Sequence, residues 1–275
     1  MKHGSCGVGF NETITRCLYG KDFGLYASEL SSPDIVKEKL CLIRDRYVPL
    51  RLAQLGISKI STAYEELLRN DGVILCYLVD VADMLRNVRV CDAGIMFEYE
   101  SILFEGAQGL LLDQAHEYFP HVTRSNTGIK NMVELLKLAG LTHEDTEVIY
   151  VTRAYMTRHG AGPFPTELPE KPYPRIEDRT NVPNPYQDTL RYGLLDLDAL
   201  AKTIRQDLKN AGGVNCIPRL AVTCMDQLDA EVDYFYNAQR VKNGQDAFVE
   251  DVFKGLDMKE GYLSFGPARE MIRRI

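Results

Sequence analysis

The chain has 275 residues, 45% hydrophobic and 26% charged, with a net charge of −7. That size suits one large domain or two small ones. The acidic balance argues against a broad nucleic-acid surface, and no run approaches the roughly 18 apolar residues that a membrane span needs.

The first 32 residues open on glycines. Gly4, Gly7 and Gly9 lie in HGSCGVGFNET, a density that can free backbone N–H groups for a phosphate or simply form a turn. Met1-Lys2-His3-Gly4 is followed by no apolar core and does not read as a signal peptide. Residues 33–100 read as helical. Ser32-Pro33 is a helix start, with serine as cap and proline in the first turn. A second helical segment begins at Tyr64, Leu67 and Leu68. Ile74, Leu75, Leu78, Val81, Met84 and Leu85 mark the longest amphipathic helix, expected to pack on a sheet.

The stretch 101–128 is the one around which the chain is read. Ile102, Leu103 and Phe104 form a short apolar run stopped by Glu105-Gly106, which predicts a buried strand ending in a tight turn. Gln108 sits between Gly106 and Gly109, where a ligand could approach the backbone, and its amide can both donate and accept. Thr123 to Thr127 offer hydroxyls and the Arg124 fork, which suit either a phosphate or a solvated loop.

Met132 to Leu138 predict a helix ending at Gly140, and Val148 to Val151 a strand. The loop after it carries Arg158, His159 and the glycine- and proline-rich GAGPFPTE run, a stiff exposed path after a strand, where α/β folds place ligands. His159 has no second ligand at a suitable spacing and is not read as a metal ligand. Asp198 to Leu208 predict a helix stopping at Gly212-Gly213, and Leu220 to Thr223 a short strand. Seven cysteines, odd in number and without a CxxC pair, fit reduced thiols in the cytoplasm and indicate no zinc site.

FEGAQG (104–109), LLD (111–113), HVTRSNT (121–127), RHGAGPFPTEL (158–168), RYGLLD (191–196), VTCMDQLD (222–229) and SFGPAR (264–269) stand in an order that resembles the adenylosuccinate synthetase family. The resemblance implies an α/β fold with a mostly parallel sheet and flanking helices, a P-loop-like ligase fold missing its N-terminal part, as a single domain over 1–275. It implies a ligase of purine biosynthesis that joins L-aspartate to a purine monophosphate (IMP, or GMP/dGMP), with Mg2+ and GTP (or ATP). By the same resemblance Gln108 is catalytic. Ser5, Gly7, Arg16, Gln108, Thr123 and His159 meet the purine monophosphate, and Arg191 meets aspartate. Asp226, Ser264, Gly266 and Pro267 meet the nucleoside triphosphate. No metal ligand is assigned.

The 178–193 stretch departs from the family's arginine run and resembles the branch near viral 2-aminoadenylosuccinate synthetases. Cys224 stands where the family has a base-stacking lysine. The family's glycine-rich loop, aspartate base and histidine acid find no counterpart in this sequence, and no GxxxxGK[ST] run occurs. The isolated chain is therefore expected to be inactive, completed by an N-terminal partner chain or acting as a homodimer. The alternative is a purine-nucleotide-binding protein or dimerising regulator of a full-length synthetase. No membrane or nucleic-acid partner is expected.

Overall fold

A computed structural model of the chain describes residues 7–178, 180–184 and 186–275. They gather into two compact units, residues 9–100 and residues 101–275 together with Gly7 and Val8.

The 9–100 unit is helical throughout its regular structure. It holds α1 (Phe10–Tyr19), α2 (Pro33–Leu42), α3 (Val48–Gln54), α4 (Thr62–Arg69) and α5 (Asp71–Leu85). The proline start of α2 is as expected, although the Ser32 side chain makes no capping bond. Asp71 and Gly72 form the first turn of α5, where the Asn70 side chain accepts from the Gly72 N–H. Contrary to expectation α5 packs on α2, not on a sheet. Only Ile74 and Val81 of its apolar set are buried, and Leu75 is 53% exposed. Across the unit, Arg51 grips Glu12 of α1 through two hydrogen bonds of 2.8 and 3.0 Å, and the Tyr47 hydroxyl donates to the same carboxylate. Charge-assisted, bidentate pairs of this kind fix geometry more firmly than single contacts.

The 101–275 unit is built on parallel strands. After α6 (Lys130–Ala139), β1 (Thr146–Arg153) is followed by the short β2 (Met156–Arg158), β3 (Glu167–Leu168), β4 (Arg191–Gly193) and β5 (Leu195–Asp196). Next come α7 (Leu197–Leu208), β6 (Cys216–Thr223), the hairpin β7 (Glu231–Tyr236) and β8 (Gln239–Gly244), α8 (Gln245–Gly255), β9 (Gly261–Ser264) and β10 (Ile272–Arg274). The central sheet runs β1-β6-β9-β10, parallel except for β10. A small antiparallel sheet β2-β4-β3 and a sheet β5-β7-β8 are built from strands that lie between β1 and β9 in sequence. The α/β class with a mostly parallel sheet is the one expected, as are α6 ending at the left-handed Gly140, strand β1, helix α7 and strand β6.

The 102–104 run is a correction. No strand forms there, and Leu103 is 91% exposed. Among the described residues β1 pairs only with β6, so the run has no neighbouring strand to bury it. The loop at 159–166 also follows β2, not the long strand β1.

Asp207 of α7 ties this unit together. Both its carboxylate oxygens accept from the Ile129 N–H at 3.2 Å, at the start of α6, and the Tyr150 hydroxyl of β1 donates to it at 2.9 Å. Burial, with the Asp207 charge beside it, pushes the Tyr150 phenol above its ordinary range, so it remains a donor. Gly128 leaves the space Asp207 fills; a β-carbon there would overlap the carboxylate. Removing one partner of a buried charged network leaves the others unsatisfied, at a cost of about 3 kcal/mol. Asp207→Ala should therefore lower the urea midpoint by an amount equivalent to about 3 kcal/mol, and Gly128→Ala should do the same from the other side of the contact. Unfolding curves matching the wild type would show that the network carries no stability.

Candidate functional site

The expected site residues fall into three neighbourhoods of the 101–275 unit, and two lie elsewhere. Ser5 is outside the described residues. Arg16 is in the last turn of α1, in the 9–100 unit, and its Nε is buried without a hydrogen-bond partner.

The first neighbourhood is the carboxyl end of the parallel strands. Val222 of β6 pairs with Leu263 of β9, so the chain leaves both strands at one edge of the sheet. There Cys224 takes a left-handed conformation (φ 62°) and opens a 3-10 turn, Met225–Gln227, that leaves Asp226 exposed. On the adjoining strand the Ser264 hydroxyl donates to the Gly266 carbonyl at 2.9 Å, closing the turn that carries Pro267. Gly266 has no room for a side chain, because Met271 Sδ occupies the place of a β-carbon. Asp226 and Ser264 to Pro267 are thus brought to one edge, where open α/β sheets bind ligands.

The second neighbourhood is the 106–128 loop. Asp113 holds it closed by accepting from the Ala115 and Thr127 N–H groups, and Thr127 Oγ1 donates to the Gly109 carbonyl. Thr123 N–H donates to the Leu112 carbonyl at 2.8 Å. Between Gly106 and Gly109, Gln108 is itself left-handed, at φ 69°. An L residue pays about 1–2 kcal/mol there. The exposed amide is therefore held at a backbone position that glycine would fill more cheaply.

The third neighbourhood is a cavity of ≈ 300 Å³ walled by Gly160, Ala161, Gly162, Tyr186, Thr189 and Arg191, with Gln187 and Asp188 also at its edge. Gly7 (φ 76°) lies against the Tyr186 ring, close enough that a β-carbon would fall 2.6 Å from it. Residues 160–162 and Arg191 therefore meet here, with Gly7 against the ring of Tyr186. The expected free arginine for a dicarboxylate is not what the geometry presents. Arg191 forms a two-point ion pair with Glu167, Nε to Oε1 at 2.7 Å, while Nη1 donates to the Gly160 and Gly162 carbonyls at 3.0 and 3.1 Å. Its guanidinium also stacks on Phe164, 5.4 Å from the ring centre. Four of five N–H groups are spent on the protein. This side chain clamps the loop, and one N–H is left for any ligand. The hydrogen bond from Arg191 holds the Glu167 carboxyl below its ordinary value.

His159 is oriented through a relay. Asn181 Nδ2 donates to Asp178 Oδ2 at 2.6 Å, so its Oδ1 is the acceptor facing His159 Nε2 at 2.8 Å. That assigns the proton to Nε2 and leaves Nδ1 a bare acceptor, buried and without a partner. Asp178 anchors the relay and also faces Arg153 at 3.5 Å. Burial alone would raise its carboxyl, but hydrogen bonds from Asn181 and Thr180 outweigh that and hold it at about 2. The sequence assigned no role to Asp178, Glu167 or Arg158, since nothing in spacing shows which side chains face each other across 24 to 37 residues.

The model of the adenylosuccinate synthetase family matches residues 2–245. The chain belongs to the adenylosuccinate synthetase family. It is 32% identical over 216 residues to the adenylosuccinate synthetase of Xylella fastidiosa (strain M12), covering 75% of this chain and 45% of the relative. It is 28% identical over 232 residues to that of Oleidesulfovibrio alaskensis, covering 80% and 50%. The chain thus spans about half the length of the curated relatives it matches. The structure of fully ligated adenylosuccinate synthetase from Plasmodium falciparum shares the fold, with a TM-score of 0.70 at 17% identity, over 98% of this chain and 70% of that one.

Two outcomes follow from the clamp and the relay. Arg191→Lys keeps the charge but cannot hold Glu167 and two carbonyls at once, so limited proteolysis should cut the 158–168 loop faster in this variant; unchanged cleavage would mean the clamp is dispensable. A carboxyl depressed on folding stabilises above its unfolded value of about 3.9 and loses that contribution as pH falls through the folded value. Asp178→Asn should cost about 1 kcal/mol at pH 6, allowing for solvent screening, with the gap to wild type closing between pH 4 and pH 2 in urea titrations. A gap constant across that range would contradict the assignment.

Proposed function

We propose that this chain serves the chemistry of its family, joining L-aspartate to a purine nucleoside monophosphate with a nucleoside triphosphate as co-substrate. Residues 160–162 and Arg191, far apart in sequence, line one cavity, with Gly7 against the Tyr186 ring of its wall, and that observation carries the reading. In it, the backbone at His159 meets the nucleotide sugar, and Gln108 and Thr123 on the 106–128 loop meet the monophosphate nucleotide, Gln108 at the base. Ser5 and Arg16 are assigned to purine monophosphate binding by resemblance alone. Arg191 shapes the aspartate end by fixing the loop and offers its remaining N–H.

The exposed Asp226 carboxylate accepts hydrogen bonds from guanine N1 and N2, with Ser264, Gly266 and Pro267 forming the opposing turn. GTP is the co-substrate in this reading, and Mg2+ would accompany its phosphates. Among the described residues no three His, Cys, Asp or Glu side chains converge on a metal position. Mg2+ is ordinarily held by one or two carboxylates and the substrate phosphates, and no residue of this chain is assigned to it. Among the described residues no helix is long and apolar enough to cross a membrane.

Calorimetric titration with inosinate, guanylate and deoxyguanylate should show a saturable complex with at least one of them. Gln108→Ala should weaken it by about tenfold, the effect of one lost hydrogen bond to a polar ligand group. Folded protein that gives no heat with any purine monophosphate would retire this reading.

A further inference from the structure

Strand β1 stands at the end of the order β1-β6-β9-β10, so among the described residues one of its edges has no neighbour. Its pairing with β6 is continuous over all 8 residues, without a bulge. The Thr146 and Ala154 N–H groups donate to the Asn215 and Thr223 carbonyls, on the β6 side. Backbone direction alternates along a strand, so the N–H and C=O groups of Glu147, Ile149, Val151 and Arg153 point to the free edge. The Arg153 carbonyl also accepts from Thr152 Oγ1 at 3.0 Å, which leaves it a second lone pair.

The side chains alternate with the backbone. Val148 and Tyr150 are buried, and Tyr150 reaches Asp207 of α7. Ile149 and Val151 lie on the opposite face and are 45% and 69% exposed. A parallel sheet is ordinarily covered on both faces, and a long edge strand of β-branched residues is a template for another strand. No proline, lysine or bulge protects 146–153.

The four edge residues read acid, apolar, apolar, base, an order that complements itself when reversed. Neither charge is fully engaged within the chain. Glu147 stands 3.6 Å from Arg219, and Arg153 stands 3.5 Å from Asp178, both beyond hydrogen-bond distance. Arg153 Nη1 donates to Thr157 Oγ1 at 2.9 Å. Both side chains remain partly exposed.

We propose that β1 pairs with β1 of a second copy of this chain, antiparallel about a two-fold axis beside Tyr150. In that register Ile149 lies opposite the partner's Val151 and Glu147 opposite the partner's Arg153, each contact occurring twice by symmetry. The residues so matched are those whose backbone groups face the edge, so the register also closes the hydrogen-bonded pairs of an antiparallel ladder. Opposite charges and β-branched side chains directly across a ladder attract. A second copy fits better than an unrelated strand because this edge supplies both halves of every contact.

The inference is independent of the purine reading and needs no ligand. The full 275-residue chain and its variants are followed by sedimentation velocity over a concentration series, with amide hydrogen exchange measured at 147–151. Wild type should sediment as a dimer of the 31.1 kDa chain, and exchange at the edge should quicken on dilution. Val151→Lys, at a side chain already exposed, places a charge against the partner's Ile149 and should weaken the dimer about tenfold. Glu147→Arg and Arg153→Glu each set like charges opposite one another twice and should also weaken it about tenfold. The two charge changes combined restore opposite signs and should recover most of the lost affinity. Should Arg153→Glu fail to fold, Val151→Lys and Glu147→Arg decide.

A monomer at every concentration overturns the proposal, and slow edge exchange in that monomer would assign the edge to another segment of the same chain. A dimer that every single variant leaves intact overturns it as well and places the interface elsewhere. Weakening by both charge variants without recovery in their combination overturns the antiparallel register.

Discussion

The 101–275 unit depends on one buried carboxylate. Asp207 receives the Ile129 N–H and the Tyr150 hydroxyl, and so joins α7, the start of α6 and β1 at a single point. The contact exists because Gly128 presents no side chain. A carboxylate in this position costs solvation, and accepting several hydrogen bonds is what offsets it. The consequence reaches the ligand loops. The 106–128 loop ends at Gly128, so the anchor that fixes the start of α6 also fixes one end of the segment carrying Gln108 and Thr123.

The same logic recurs at smaller scale around the cavity. Asp113 closes the 106–128 loop, Asp178 anchors Asn181 and through it His159, and Glu167 holds Arg191 on the 160–162 carbonyls. Each uses a charged group to fix backbone in a loop that has no sheet or helix ladder of its own. Loops positioned in this way on a rigid scaffold are where binding residues concentrate. The left-handed Gln108 shows the cost, since its amide is held at a backbone angle unfavourable to any L side chain.

Elements with a full period of apolar residues were legible in the sequence. α6 and α7 show it in buried Val133 and Leu136 and in buried Ala201 and Ile204, and their glycine stops match left-handed glycines. The short apolar run at 102–104 was not legible, because three residues do not distinguish a strand from an exposed extended segment. Whether such a run is buried depends on a neighbouring strand, and that is a non-local fact. The hairpin β7–β8 and helix α8 carry much of the core, with Val232, Tyr234, Phe248 and Val252 fully buried, but no motif marks them.

The sequence by itself determined the family, through motifs spread from FEGAQG to SFGPAR, and the α/β class with its long helices and parallel strands. It also placed Asp226 just after a short β-type run, Leu220 to Thr223. Tertiary structure alone decided which charges are satisfied. Arg158 and Arg191 look alike in the sequence, each beside a loop of glycines or polar residues. Only the fold puts Glu167 within reach of one and leaves the other buried with no carboxylate paired to it among the described residues. The physical reason is that motif wording records which residues are present, whereas pairing is set by distances of a few ångströms between side chains that the chain brings together from far apart.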